Sequence, residues 1–430
     1  MDKLESARKR INDRDREIAA LWVERMTAVM DVSEYKKAHG IPVIDASRES
    51  ALLEKNLEYI PEELKGYYTD FLRSVIGVSK QYQRDKLLHG DNTISLNLGD
   101  RSYDIIVKRG ELSRAGEHMD LKRKVLIVTD DGVPAEYAKT VAEQCAEPHI
   151  VTLPQGEQTK CFDSFRTLLK ELLAHGFTRK DCVVAVGGGV MGDLAGFAAS
   201  AYMRGIDFYN IPTTTLSQID SSIGGKVAID LDGFKNTVGA FWQPKFVLID
   251  PDVLKTLDAR QISSGRAEAV KMSLCFDASL FEMFEQDDIM ENLDEIIRRS
   301  LIIKKNVVEQ DEKESGLRKV LNFGHTVGHG IETAEEGNLC HGECVALGML
   351  PMSSPDVRAR LMKVLKKLNL PTDITSDIEK VKSAMLHDKK GENQSVTVVR
   401  VKTVGQFELE KLTFDELFTE LDEYIKEVRA

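Results

Sequence analysis

The sequence predicts a multi-domain protein. An all-α module of three helices covers about residues 1–86, an α/β domain on a parallel sheet covers 90–255, and a mainly α-helical domain covers 256–430. Three observations predict this order. At 430 residues the chain is too long for one compact core. Near residue 90 the apolar residues leave helical spacing and gather into β-branched runs that end in glycine or polar turns. Beyond about residue 255 the helical spacing returns.

In the first module Leu4, Ile11, Ile18 and Val32 follow a seven-residue repeat, with Ala7, Leu21 and Ala28 between them, which is the seam of a coiled-coil-like helix. Two further helices are expected over 45–59 and 62–85, with proline only in "GIPVID" and "YIPEEL" at the junctions. Three helices make a thin core, so the module is expected to pair with a second copy in a homodimer or higher even-numbered oligomer. Next, "TISLNLG", "SYDIIVKRG", "KVLIVTDDGV" and "DCVVAVGGGV" read as strands, and "FRTLLKELLAHG" as an amphipathic helix between two of them. Strand alternating with helix implies a parallel sheet. In the last domain "SVTVVRV" and "GQFELEKL" interrupt the helices as a hairpin.

Composition excludes several classes. A chain that is 42% apolar and 30% charged is ordinary globular material. Its net charge of −12 argues against a nucleic-acid or anionic-membrane partner. The six cysteines form no C-x-x-C pair, as in a reducing compartment. The N-terminus "MDKLESARKR" lacks an apolar targeting stretch, and no apolar run reaches the roughly 18 residues that span a bilayer. A cytoplasmic location is expected.

Two local patterns carry chemistry. "VVAVGGGVMGDLAGFAAS" is a strand, a glycine turn and a small-residue helix, which lets a ligand phosphate approach the backbone at a helix N-terminus; a tight turn without a ligand fits the glycines equally well. "TDD" at 129–131 and "PQGEQTK", with Glu157 and Lys160, follow other strands, and such clustering favours a nucleotide. In "VLNFGHTVGHGIET", His325 and His329 are four apart and share a helix face. Alone, such a pair reads as core. With Glu268, His341 and Glu343 in other small-residue helices it reads as a catalytic zinc set, and Lys226, Lys235, Lys271, Lys304 and Arg318 suggest an anionic substrate. In the N-terminal seam Arg25 sits where the repeat expects an apolar residue, and Arg8 lies beside it; they either reach solvent or meet an anion.

"GGGVMGDLAGFAAS", "YMRG", "IPTTTLSQIDSSIGGK", "KNTVGAFWQP", "GRAEAVK", "LNFGHTVGHGIE", "HGE" and "HDKK", in that order, resemble 3-dehydroquinate synthase over roughly residues 90–430. The resemblance implies NAD and Zn2+ (or Co2+) as cofactors. It also implies conversion of 3-deoxy-D-arabino-heptulosonate 7-phosphate to 3-dehydroquinate and phosphate, by transient oxidation, phosphate elimination, re-reduction and intramolecular aldol closure. By resemblance the metal ligands are Glu268, His325 and His341, with His329 at the substrate phosphate instead. Substrate contacts carry over to Asp220, Lys226, Asn236, Lys271, Lys304, Arg318, Asn322 and His329, with Arg204 and Lys389 or Lys390 at the phosphate. NAD contacts carry over to Asp130, Glu157, Lys160, Gly188, Gly189, Asp193, Thr213, Thr214, Lys235 and Thr256. Gly132 replaces the family's asparagine, and the segment after "HGECVALGML" is shorter than usual.

Residues 1–86 resemble an all-helical chorismate mutase through "SARKRINDRDREIAALWVERM", "YKKAHGIPVIDASRE" and "GVSKQYQ". The implied site is Arg8 (from a partner chain), Arg25, Lys36, Asp45, Arg48, Glu49, Ser79 and Gln83. The expected protein is a bifunctional enzyme acting on small-molecule substrates. The alternatives are another sugar-phosphate cyclase, of the 2-deoxy-scyllo-inosose synthase type, or an N-terminal module that regulates or dimerises without catalysis.

Overall fold

A 36-residue helix, α1 (Lys3–Ala38), opens the chain and is followed by α2 (Ala46–Leu57) and α3 (Lys65–Gln83). The computed structural model describes residues 3–38, 46–83, 92–286, 292–387 and 395–429, and the chain divides into two compact units, Met1–Ser95 and Leu96–Ala430. In the first unit Met26 and Leu72 are buried, while the seam residues Leu4, Ile11, Ile18 and Leu21 are 51–63% exposed. One copy of the module therefore leaves its apolar stripe uncovered.

The second unit is built on a seven-stranded sheet. Its strands are β1 (Thr93–Leu96), which straddles the division between the units, β2 (Tyr103–Val107), β3 (Lys124–Asp130), β4 (Glu147–Leu153), β5 (Cys182–Gly187), β6 (Asp207–Pro212) and, after a hairpin of two further strands described below, β9 (Phe246–Ile249). The order is β1-β2-β9-β6-β5-β3-β4, with parallel pairing from β2 to β4. Helices cover both faces. Leu126, Val128, Val183 and Ala185 pack into one core beneath the helices Phe162–Ala174 and Gly189–Ala201. Val125, Ile127, Cys182, Val184 and Val186 pack into the opposite core with Val141. Burial on both faces is why "VLIV" and "CVVAV" are continuously apolar and do not alternate. From β3 the chain crosses to β4 at one edge, and from β5 it crosses to β6 in the other direction. The C-terminal ends of β3 and β5 thus flank a topological switch point, the crevice where open α/β sheets bind ligands.

The hairpin β7 (Lys226–Leu231) and β8 (Phe234–Phe241) turns through Asp232 and Gly233, with φ of 49° and 85°. Positive φ at both positions is the Asp-Gly turn that matches strand twist. The rest of the unit is helical, apart from a hairpin of β10 (Ser395–Thr403) and β11 (Gln406–Thr413). At its centre runs the helix Ala259–Phe276, buried without a break from Ser263 to Cys275. The fold class agrees with the sequence expectation, including the β10–β11 hairpin. No helix among the described residues is long and apolar enough to cross a membrane, and all six cysteines are free.

Candidate active site

At the strand ends the nucleotide-type residues gather. Asp130 closes β3, and its Oδ1 accepts a bond from the backbone N–H of Gly132 at 3.0 Å. At the end of β5, a Cβ added to Gly188 would lie 3.0 Å from Thr214 Cγ2, and one added to Gly189 would lie 3.0 Å from Ser221 Oγ. Thr213 donates its N–H to the Gly187 carbonyl at 2.9 Å, which seats Thr213 and Thr214 beside the turn. After β4, Lys160 is buried and its Nζ lies 3.1 Å from both Glu157 and Asp193 and 4.0 Å from Asp230. Burial pushes the Asp193 carboxyl up to about 6 against the pull of Lys160. Thr256 bonds Tyr137 at 3.0 Å. At Gly132 the Gln155 carboxamide occupies the space that a side chain would need, 2.4 Å from an added Cβ.

Glu268 lies in the buried helix Ala259–Phe276 with no exposed surface. Its Oε1 is 3.5 Å from His325 Nε2 and 3.4 Å from His341 Nε2, and its Oε2 meets Lys271, which is one turn further along the same face. Both carboxylate oxygens are buried without a directed hydrogen bond. His325 opens the helix His325–Ala334 after Gly324, whose φ is 77°, and its Nδ1 bonds the Phe323 carbonyl at 3.2 Å. His341 opens the helix His341–Met349. His329, one turn beyond His325, brings a ring nitrogen within 4.8 Å of those of His325 and His341. One carboxylate and two imidazoles around a shared point, with the carboxylate's Oε1 buried and without a hydrogen bond, form a donor set that fits a divalent cation such as zinc. The local field favours a cation as well. Burial works against a charge on His341, but the carboxylates of Glu268 and Glu332 at its two nitrogens outweigh this and lift it to about 9. Burial and Lys271 hold His325 well below its ordinary value.

The helix carrying His341 is fixed to the helix carrying Glu268. Gly342 donates its N–H to Ser264 Oγ at 3.0 Å, and a Cβ there would lie 1.9 Å from the Ser264 carbonyl oxygen. The Glu343 carboxylate takes two bonds from Arg260, both 2.7 Å. Gly342→Ala forces these backbones apart. It is expected to lower the thermal transition of this unit by about 5 °C or more and to weaken metal uptake, checked by calorimetry and metal titration.

Cations line the neighbouring surface. Lys304 Nζ is 2.6 Å from Asp220 Oδ1 and donates to the Asp220 carbonyl at 2.7 Å. Asp220 sits in the short π-helical turn Ser217–Ser221, a feature common at functional sites. Arg318 is buried and bonds the Gly224 carbonyl at 3.2 Å. Burial holds both Lys304 and Arg318 below their ordinary values. Lys226, Asn236 and Asn322 are exposed. Two residues were not singled out in the sequence. Glu314 pairs with Lys226 and accepts a bond from Asn322 at 2.7 Å; it lies in "DEKESG", which has no periodic signal. Glu332 bonds His341 and Lys235; it stands seven residues after His325 and three after His329, on their helix face, a signal the sequence does carry. Arg204 is exposed in the turn Tyr202–Arg204, and among the described residues no hydrogen bond or ion pair joins it to this cluster. Lys389 and Lys390 lie outside the described residues.

In the first unit Arg25, half-buried, donates to Ser79 Oγ, and Ser79 is buried on α3. Arg8 is exposed on α1. Asp45 and the side chains of Lys36, Arg48, Glu49 and Gln83 lie outside the described residues.

Residues 150–264 match the family model of the 3-dehydroquinate synthase N-terminal domain, and residues 265–391 match that of its C-terminal domain. A 3-dehydroquinate synthase from Streptococcus suis is 39% identical over 347 residues, covering 75% of this chain and 98% of the relative. The chain belongs to the 3-dehydroquinate synthase family. Ahead of this synthase part, residues 7–84 match the model of chorismate mutase type II. Two solved structures align with the synthase part at a TM-score of 0.69 and 26% identity, covering 99% of their own chains. One is a 2-deoxy-scyllo-inosose synthase complexed with carbaglucose-6-phosphate, NAD+ and Co2+, and it covers 78% of this chain. The other is a 2-epi-5-epi-valiolone synthase from Streptomyces hygroscopicus subsp. jinggangensis 5008 with NAD+ and Zn2+ bound, and it covers 77%.

Proposed function

We propose that the chain is a bifunctional shikimate-pathway enzyme, a 3-dehydroquinate synthase fused to a chorismate mutase. The meeting of Glu268, His325 and His341 beside Lys271 and Lys304 carries the synthase reading. These three ligands would hold a divalent cation. Asp130, Glu157, Lys160, Gly188, Gly189, Asp193, Thr213, Thr214, Lys235 and Thr256 would hold the dinucleotide. The dinucleotide supplies a hydride acceptor and donor, and the cation a Lewis acid for the substrate's hydroxyls. The chain's own work is positioning. Lys271, Lys304 and Arg318 take the substrate's carboxylate end. Lys226, Asn236, Asn322, His329, Arg204 and Lys389 or Lys390 take the phosphate end and neighbouring hydroxyls. Asp220 holds Lys304 in place.

In the mutase module Arg25, with Lys36, Asp45, Arg48, Glu49, Ser79 and Gln83, would fix a dicarboxylate in a compact conformer and stabilise charge growing at its ether oxygen. The exposed seam on α1 supports a homodimer or higher even-numbered assembly, in which Arg8 would enter the partner's site. Six free thiols fit the cytoplasm.

The likeness to the 2-deoxy-scyllo-inosose synthase suggests a second reading, a cyclase acting on a hexose phosphate. Greater identity to the dehydroquinate synthases and three buried cations suited to a carboxylate, Lys271, Lys304 and Arg318, favour the first. Incubating the full chain with NAD+, Zn2+ and either sugar phosphate decides between them. The heptulosonate phosphate is expected to release inorganic phosphate, and glucose 6-phosphate, which has no carboxylate, is expected to release at most about a hundredth as much. Equal release from both would overturn the assignment.

A further inference from the structure

Glu332 stands in neither residue set above, yet it touches both. Its Oε2 lies 3.1 Å from His341 Nδ1, and its Oε1 accepts a bond from Lys235 Nζ at 2.7 Å. The carboxylate is 15% exposed, and both of its oxygens are engaged. Two physical consequences follow from this bridge. A carboxylate at Nδ1 fixes the orientation of the His341 ring, so that Nε2, 3.4 Å from Glu268 Oε1, faces the point where a cation would bind. The same carboxylate draws Lys235, on the β7–β8 hairpin, to the helix His325–Ala334. Whatever orders Lys235 therefore orders Glu332, and through it His341. Ordering entropy spent by one ligand is then spared for the other, and such a link acts equally in both directions.

We propose that Glu332 is a positioning residue that joins the cation site to the dinucleotide site, so that each ligand raises the affinity for the other. This rests on the site reading above. The test is Co2+ affinity of the full chain, measured by competition with a chromogenic chelator, with and without saturating NAD+. The parent is expected to bind Co2+ about fivefold or more tightly with NAD+ present. Glu332→Gln is expected to bind Co2+ 10- to 100-fold more weakly, with an affinity that no longer responds to NAD+. Glu332→Asp keeps the charge but is one methylene too short to reach both partners; it is expected to lose the NAD+ response likewise, which covers the case in which the amide variant does not fold. A Glu332→Gln chain that binds Co2+ like the parent, or a variant that keeps the parent's NAD+ response, overturns the proposal. A parent that takes up neither Co2+ nor NAD+ sinks the site reading itself, whereas one that binds both with no mutual effect sinks only the bridge.

Discussion

Glu268→Gln is expected to strip the protein of its divalent metal and with it the synthase activity, while prephenate formation by the same polypeptide continues at the parental rate. The amide has almost the same volume as the carboxylate, so no cavity opens and the loss is electrostatic. Glu268 is fully buried and faces Lys271 on one oxygen and the Nε2 atoms of His325 and His341 on the other. Burial alone would raise its pKa, but Lys271 and the two imidazoles hold it well below the ordinary carboxylate range. Losing the anionic ligand is expected to weaken cation binding by more than the roughly 10- to 100-fold that an outer-shell partner of a ligand is worth. Metal content after dialysis against a chelator, followed by phosphate release from the heptulosonate phosphate, measures both. Parental turnover by a Glu268→Gln chain containing no metal would remove the cation from the mechanism.

Much of this site was legible in the sequence, and the reason lies in local chain geometry. His325 and His329 had to share a face because a helix repeats every 3.6 residues. That Glu268 meets His325 while lying 57 residues earlier in the chain follows from how three helices pack, and spacing alone is silent on it. The seating of the His341 helix against the Glu268 helix depends in turn on Gly342, where hydrogen replaces a side chain against the Ser264 backbone. Only the resemblance to the synthases carried that information.

The sheet shows the same division. β3 and β5 are buried on both faces and stood out as apolar runs. β4 (EPHIVTL) is largely exposed and contains Pro148, as suits an edge strand, and β8 exposes most of its length, so neither carries a strong pattern. Glu314 escaped notice for a different reason. It sits with φ of 60° in a loop folded around Asp311, whose carboxylate accepts bonds from the backbone N–H groups of Ser315, Gly316 and Arg318. Nothing periodic marks such a loop.

Arg25→Ala is expected to reduce chorismate-to-prephenate turnover by about 10²- to 10³-fold and to leave 3-dehydroquinate formation unchanged. Arg25 takes the apolar position of the seven-residue repeat on α1, next to buried Met26, and donates to the Ser79 hydroxyl on α3. Burial depresses its pKa, and it makes no ion pair with a carboxylate among the described residues. A partly desolvated guanidinium with one hydroxyl partner weakens the helix packing that surrounds it. Its replacement by alanine should therefore leave the unfolding temperature of this unit unchanged or raise it. This separates a binding role from a structural one, because a packing residue would lose stability together with activity. Arg25→Lys is expected to recover little, since a single ammonium cannot offer the paired donors that a carboxylate takes from a guanidinium. If Arg25→Ala instead formed prephenate at the parental rate, the cation would be a surface residue of the helix, and the N-terminal module would have to earn its place by binding or assembly.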